Sequence, residues 1–255
     1  MASSAPVEEA PLPPTGWLPS YGWWPRPEDF SVTVVLSPYH ATADPQARFH
    51  FILRGYAGSS TPVWERDLGV AEWGREMAVR LDDLDLPEPP EHGGILEVHS
   101  IRVDQPPPKG SKFVGMWIDA QGRGGGGYLI PTIPIQGAGK LIARDDLQVM
   151  PGVMISTEID TEVLLLNPTG QETSARLNVS SPEGLITEGR PFALGAWSAW
   201  HGRLSRAVPR SRRLLEDSAG VGSLSVYTGL KVLPYFALRK GDHISSMDHA
   251  APIFA

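Results

Sequence analysis

The stretch Ser31-Val32-Thr33-Val34-Val35-Leu36-Ser37-Pro38 is typical of a half-buried antiparallel strand. Val32, Val34 and Leu36 fall on one face of an extended backbone, and the proline ends the run. A second version of its end appears later as Leu165-Leu166-Asn167-Pro168, an offset of 165 − 35 = 130 residues. This pairing is the first sign that the chain repeats itself.

Four further matches follow in the same order at nearly the same spacing. They pair 47–51 with 175–179 (offset 128), 68–69 with 194–195 (126), 95–100 with 223–228 (128), and Asp119 with Asp248 (129). Each match alone is weak, but five in one order at one spacing indicate two copies of one domain.

Strand patterns dominate both copies. Phe49, Phe51 and Leu53 alternate with polar residues in the first copy, and Leu177 and Val179 do so in the second. Turn-forming residues separate these short runs, and the chain holds 27 glycines and 25 prolines. We therefore predict an all-β protein of two tandem antiparallel β-sandwich domains with an extended N-terminal arm.

The predicted boundaries follow from the composition along the chain. Residues 1–30 form the extended Pro/Trp-rich arm and residues 31–135 the first sandwich. Residues 136–160 form a linker and lead-in segment, and residues 161–255 form the second sandwich.

Composition narrows the class of protein. The chain is 41% hydrophobic and 20% charged, which is typical of a globular protein, and its 255 residues suit two ordinary domains. The net charge of −7 argues against specific nucleic-acid binding, which needs a basic face. Without cysteine there are no disulfides, and we expect a cytoplasmic location. The sequence contains no run of about 18 apolar residues, so it predicts no transmembrane segment.

The opening of the first copy resembles a known family. Residues 16–30, read as Gly-Trp-Leu-Pro-Ser-Tyr-Gly-Trp-Trp-Pro-Arg-Pro-Glu-Asp-Phe, are similar to the start of the sensory rhodopsin transducer family. That start has the form Gly, aromatic, aliphatic, Pro, any residue, Tyr, then a proline pair and an aromatic. Later parallels are 36–38, 48–53, 83–87, 97–100 and 118–121. The resemblance spans about residues 16–130, and a fainter version fits 160–255.

The resemblance implies that the protein functions by binding other proteins. Members of that family are small cytoplasmic β-sandwiches that self-associate, need no cofactor and act by touching other proteins. One sandwich per chain is usual there, whereas this chain has two, which would form an internal pseudo-dimer. The second copy has Met150-Pro151-Gly152-Val153 in place of the family's Pro-Tyr-Gly opening.

Two groups of residues are candidates for binding a partner protein. The first comprises Trp17, Tyr21, Trp23 and Trp24, because such rings supply large amphipathic contact area. They either form an interface or pack across the open end of the first sandwich.

The second candidate is a run of five arginines in eleven residues: Arg203, Arg206, Arg210, Arg212 and Arg213. The guanidinium group pairs with carboxylate or phosphate in a bidentate fashion. We predict a loop that either docks an acidic partner, anionic lipid or nucleic acid, or is simply solvated.

No pattern predicts chemistry. His243, Asp248 and His249 form the one local group of metal-ligating type, and we favour a polar edge strand near the C-terminus over a metal site for them. Residues 122–127 satisfy Gly-x-Gly-x-x-Gly, but Tyr128-Leu129-Ile130-Pro131 cannot continue as the helix that a dinucleotide site needs. Asp82, Asp83 and Asp85 read as a solvated turn. We expect no catalytic residue, no metal and no cofactor.

The expected function is therefore that of a non-enzymatic interaction subunit. It would be a transducer-like adaptor or an accessory subunit, docking on a larger complex such as a membrane photoreceptor or photosynthetic assembly at its cytoplasmic face, with self-association. The alternative is a carbohydrate-binding β-sandwich module, because such folds often present tryptophans to sugar rings.

Overall fold

The computed structural model describes residues 19–37, 46, 48–72, 75–103, 115–122, 127–131, 133–134, 146–230, 232–244, 248–249 and 251–252. The strands of the first half are β1 (Ser20–Trp24), β2 (Phe30–Ser37), β3 (Arg48–Tyr56), β4 (Trp64–Glu72), β5 (Met77–Arg80), β6 (Gly94–Arg102), β7 (Gly115–Gly122), β8 (Gly127–Pro131) and β9 (Ile133–Pro134). A 3₁₀ turn at Leu81–Asp83 follows β5.

The second half adds eleven strands and two short helices. They are β10 (Asp146–Met154), β11 (Ile159–Asn167), β12 (Thr173–Ser180), β13 (Ile186–Glu188), β14 (Phe192–Leu194), β15 (Ser198–Arg203), α1 (Leu204–Ala207), α2 (Ser211–Leu214), β16 (Val221–Thr228), β17 (Leu233–Lys240), β18 (His243–Ile244), β19 (Asp248–His249) and β20 (Ala251–Pro252). A 3₁₀ turn at Glu216–Ser218 lies between α2 and β16.

The strands form four antiparallel sheets. Sheet A has the order β4-β3-β6-β1-β9 and sheet B the order β5-β2-β7-β8. Sheet C has the order β13-β12-β16-β10-β20, with β14 also on β12, and sheet D the order β15-β11-β17-β18, with β19 also on β17. The prediction of an all-β protein with antiparallel sheets is confirmed.

Strand orders in the two halves correspond. Sheets A and C have equivalent strand orders, in which β3 corresponds to β12, β6 to β16 and β1 to β10. Sheets B and D are equivalent in the same way, with β2 corresponding to β11 and β7 to β17. Three of the five sequence matches fall on corresponding strands, at 35–37 with 165–167, 48–51 with 176–179 and 95–100 with 223–228. The match of Asp119 with Asp248 is wrong, because Asp119 lies in β7 and Asp248 lies in β19 instead of β17, and the match of 68–69 with 194–195 pairs β4 with β14 instead of β13. The division into two domains stays a prediction, because one hydrophobic core contains residues of both halves.

The sheets stack in the order B, A, D, C. Strand β11 shows this most clearly, because its side chains alternate between two cores. Val163 and Leu165 join the core that sheet D shares with sheet C. Leu164 and Leu166 join the core that contains the aromatic residues of sheet A. Sheet D is therefore covered on both faces.

Sheet A is also covered on both faces. All five residues of β1 are buried, as is β6 from Gly94 to Ser100. On the face toward sheet D, the Trp23 ring lies 4.7 Å from that of His201, measured between ring centroids. The same Trp23 ring also lies 5.0 Å from that of Phe30, the first residue of β2 in sheet B. The outer sheets B and C instead have one face toward solvent, as the exposure of Ser174 and Tyr227 in sheet C shows.

Three details of the predicted organisation are wrong. Ser20–Trp24 is a strand inside sheet A, so the N-terminal arm does not extend to residue 30. Asp146–Met154, placed in the linker and lead-in segment, is the strand β10 paired with both β16 and β20. The third is the alignment of Leu36 with Leu166. Leu36 of sheet B faces sheet A, the other sheet of its half, whereas Leu166 of sheet D faces away from sheet C, the other sheet of its half. The alignment is therefore one residue out of register.

Candidate functional site

The predicted aromatic interface is wrong for the residues that the structure describes. Tyr21, Trp23 and Trp24 are 8%, 2% and 3% exposed, and they pack into the core between sheets. Tyr21 meets Trp197 edge-on at 5.9 Å, so its ring contacts the second half of the same chain. The alternative, packing across the open end of the first sandwich, is also not what the structure shows, because these residues lie in β1, which pairs with β6 and β9 inside sheet A. Trp17 lies outside the described residues.

The segment that carries the five arginines, predicted to be a loop, contains the two short helices α1 and α2. Arg203 ends β15, Arg206 is in α1, Arg210 precedes α2, and Arg212 and Arg213 are in α2. All five are exposed. We call these five residues the arginine surface.

Apolar residues between the arginines fix both helices to the protein. Leu204, Val208 and Leu215 are fully buried in the core between sheets C and D. The hydroxyl of Ser205 donates a hydrogen bond to the Asp160 carboxylate, and its backbone N–H donates to the same group at 3.2 Å. The chain therefore alternates buried and exposed positions here, and this pattern turns the guanidinium groups outward.

Most of the arginine surface has no carboxylate partner within the described part of the chain. Arg203 lies 3.9 Å from Glu162. No ion pair among the described residues involves Arg206, Arg210, Arg212 or Arg213. The exposed acidic residues Glu216 and Asp217 follow directly in the sequence, so the surface is locally mixed but mainly positive.

Exposed aliphatic side chains lie close to this surface. Leu185 and Ile186 are 63% and 62% exposed. Ile186 of β13 pairs with Ser180 of β12. Gly222 lies beside Ser180, and Leu215, which follows α2, is so close to Gly222 that a Cβ atom there would touch it. The end of sheet C thus presents apolar and cationic groups together.

A buried carboxylate near this surface was not found from the sequence. Glu162 has a side chain only 4% exposed, and it receives a hydrogen bond from Arg239 while Nε2 of His201 lies 3.1 Å away. Burial alone raises the pKa of this carboxyl, but the His201 and Arg239 contacts outweigh burial and hold the pKa below its usual range. Sequence spacing offers no signal for this group, because its partners come from two other strands, β15 and β17.

A second buried carboxylate belongs to sheet A. The hydroxyl of Tyr56 donates to Glu97 at 2.9 Å, and Arg54 donates to it at 3.3 Å. Here burial dominates and raises the pKa of Glu97 above its usual range, although both hydrogen bonds oppose that shift. The ring of Tyr56 stacks on Trp197 at 4.5 Å, so this network also lies at the contact between sheets A and D.

The other chemical motifs do not assemble into sites among the described residues. His243 pairs with Lys240, whereas Asp248 pairs with Phe236, which is four residues or about 13 Å away along β17. No group of three or more metal-ligating side chains occurs in the described ranges. Gly122 and Gly127 flank the turn between the antiparallel strands β7 and β8, as predicted for a loop between strands. The tip of that turn is outside the described residues.

Comparison with known proteins adds no relative. No family model matches the chain, and neither a curated protein nor a solved structure does. The resemblance to the sensory rhodopsin transducer family therefore stays a prediction. In the part of the chain that is described, no helix is long and apolar enough to cross a membrane.

Proposed function

We propose that the protein is a non-enzymatic interaction subunit, an adaptor or accessory subunit of a larger assembly, and that it binds the acidic surface of a partner protein through the arginine surface. One observation carries this proposal. Four exposed arginines on two firmly packed helical turns lack ion pairs with the described residues, on a chain whose net charge is −7.

Physical chemistry supports a carboxylate partner. Arginine presents a planar fork of donors that matches a carboxylate, and its charge persists at every physiological pH. Because α1 and α2 are fixed by Leu204, Val208 and Leu215, little conformational entropy is lost when the surface binds. Such surfaces accelerate association and favour partners of opposite charge.

Charge reversal tests the proposal with a matched control. The variant R210E/R212E/R213E changes the net charge from −7 to −13, because three charges each change by two. The control R75E/R80E/R190E makes the same change at three other exposed arginines. Each protein would be crosslinked in cell extract at low salt and recovered for mass spectrometry.

We expect the first variant to lose partners that the wild type and the control both retain. Binding should also fall between 50 and 500 mM salt, because exposed charge pairs are screened. Equal recovery of the same partners by all three proteins would contradict the proposal. Fractionation of the recovered partners tests whether the larger assembly is a membrane complex.

The carbohydrate-binding alternative gains no support from the five tryptophans whose exposure the structure describes. Trp23, Trp24 and Trp64 are buried, and Trp197 and Trp200 are half-buried. A sugar-stacking platform needs a ring face open to solvent.

A further inference from the structure

A second charged surface of this chain complements the arginine surface. Five acidic residues lie within ten positions of the first half: Asp82, Asp83, Asp85, Glu88 and Glu91. Asp83, Asp85, Glu88 and Glu91 are exposed, whereas the side chain of Asp82 is 21% exposed and lies 4.0 Å from Arg80. We call residues 82–91 the acidic segment. It connects the 3₁₀ turn after β5 to the residues that lead into β6.

The acidic segment is held in place on its inner side. Leu81 is buried, and Leu84 and Leu86 pack against the hydrophobic core that contains the aromatic residues of sheet A. Arg66 donates a hydrogen bond to the backbone carbonyl of Asp85 at 2.8 Å. Pro87, Pro89 and Pro90 restrict the backbone of the second part of the segment. Its carboxylates are therefore presented from an ordered backbone, as the arginines are.

Carboxylates of the acidic segment remain available for an external partner. Asp83, Asp85 and Glu91 form no ion pair with any described residue, whereas Glu88 lies 3.3 Å from Arg26. None of the ion pairs among the described residues joins the acidic segment to the arginine surface. Two complementary surfaces of the same chain thus leave most of their charges without a partner inside that chain.

We propose that the acidic partner of the arginine surface is a second copy of this protein, bound through its acidic segment. This inference rests on the proposed function, because it names the partner of the same surface. The two surfaces differ, so each contact is heterologous. Two copies form a closed pair if they can exchange both contacts, and otherwise copies add head to tail.

Sedimentation velocity of the full chain tests self-association directly. We expect association at 50 mM NaCl that weakens at 500 mM NaCl. Three exposed ion pairs together correspond to about a 3-fold to 150-fold change in affinity. Accordingly, R210E/R212E/R213E alone and D83K/D85K/E91K alone should each weaken association by about tenfold. The control for self-association is R75E/R190E/K240E, because Arg80 lies 4.0 Å from Asp82 of the acidic segment. It makes the same change in net charge and should associate like the wild type, apart from general charge repulsion.

Mixing the two variants provides the decisive measurement. One variant is acidic at both surfaces and the other is basic at both, so the mixture restores complementary contacts that neither variant has alone. Recovery of association on mixing supports the inference. A mixture that sediments like the separate variants, or a wild type that is monomeric at both salt concentrations, overturns it.

The outcome separates this inference from the proposed function. If the wild type is monomeric but crosslinking still loses partners in R210E/R212E/R213E, the acidic partner is a different protein and only the self-association fails. If crosslinking recovers the same partners from every variant, the proposed function fails as well.

Discussion

Replacing Glu162 with glutamine should destabilise the protein more than any exposed charge change. The substitution keeps the size of the side chain but leaves Arg239 and His201 without their negative partner at a place where Glu162 itself is 4% exposed. Breaking a buried ion pair in this way costs about 3–5 kcal/mol. Because Arg239 retains 16% exposure and Arg203 44%, water screens part of the cost, and we expect about 2–4 kcal/mol.

Urea denaturation followed by tryptophan fluorescence measures this loss, since Trp23 lies against His201. The midpoint should fall without a change in slope, and the melting temperature should fall by about 6–12 °C for a 3 kcal/mol loss. The difference between the two proteins should shrink as the pH falls through the lowered pKa of Glu162, because a depressed carboxyl pKa stabilises the fold only while the group is ionised.

A matched control tests whether the loss of stability in Glu162→Gln comes from the burial of the ion pair or from loss of an ion pair of any kind. Glu158 lies 2.7 Å from Lys240, closer than His201 is to Glu162, but both of those side chains are about two-thirds exposed. Glu158→Gln should therefore leave the urea midpoint nearly unchanged, because water screens an ion pair between two exposed side chains. Equal effects of the two substitutions would refute the reasoning.

Two further predictions concern the contacts of sheet A. Burial raises the pKa of Glu97, so its contribution to stability is fully present below its unfolded pKa and is lost as the pH rises through the folded value. Glu97→Gln cannot ionise, so the difference in stability between this variant and the wild type should shift in favour of the variant as the pH rises above the unfolded pKa of a glutamate. A difference that stays constant with pH in urea titrations would contradict this. A methyl group at Gly55 would lie 2.0 Å from Nε1 of Trp64, so Gly55→Ala should cost about 1–3 kcal/mol. At Gly170 the nearest neighbour of such a methyl is 3.8 Å away, and Gly170→Ala should cause no loss; equal thermal shifts for the two variants would show that packing against the tryptophan is not responsible.

Strands with one solvent face were predictable from the sequence. Val32, Val34 and Leu36 are buried while the residues between them are half-exposed, and Leu224 and Val226 show the same alternation in the second half. The alternation of period two survives in such strands because one face must remain polar. The positive charge of the arginine surface could also be predicted from the sequence. An exposed cluster of arginines is visible in the sequence itself and does not depend on which residues pack against it.

The middle of the stack could not be predicted in the same way. In β1, the run Ser-Tyr-Gly-Trp-Trp is buried throughout, because sheets B and D cover both sides of sheet A. A strand covered on both faces has no alternation to detect. Its aromatic residues and neighbouring prolines therefore resemble an exposed arm. The buried position of Glu162 was hidden for the same reason, because it depends on which sheet covers which.

The stacking order makes the two halves unequal despite their matching strand orders. Strand β2 has a half-exposed polar side with Ser31 and Thr33, whereas β11, its counterpart, carries Leu164 and Leu166 on the side that sheet A covers. Exchanging these strands would place hydroxyl groups against the aromatic core and leucines in water. If the halves arose by duplication, their sequences would have diverged until neither half could occupy the position of the other. Further substitutions would be tolerated best on the solvent-facing sides of sheets B and C.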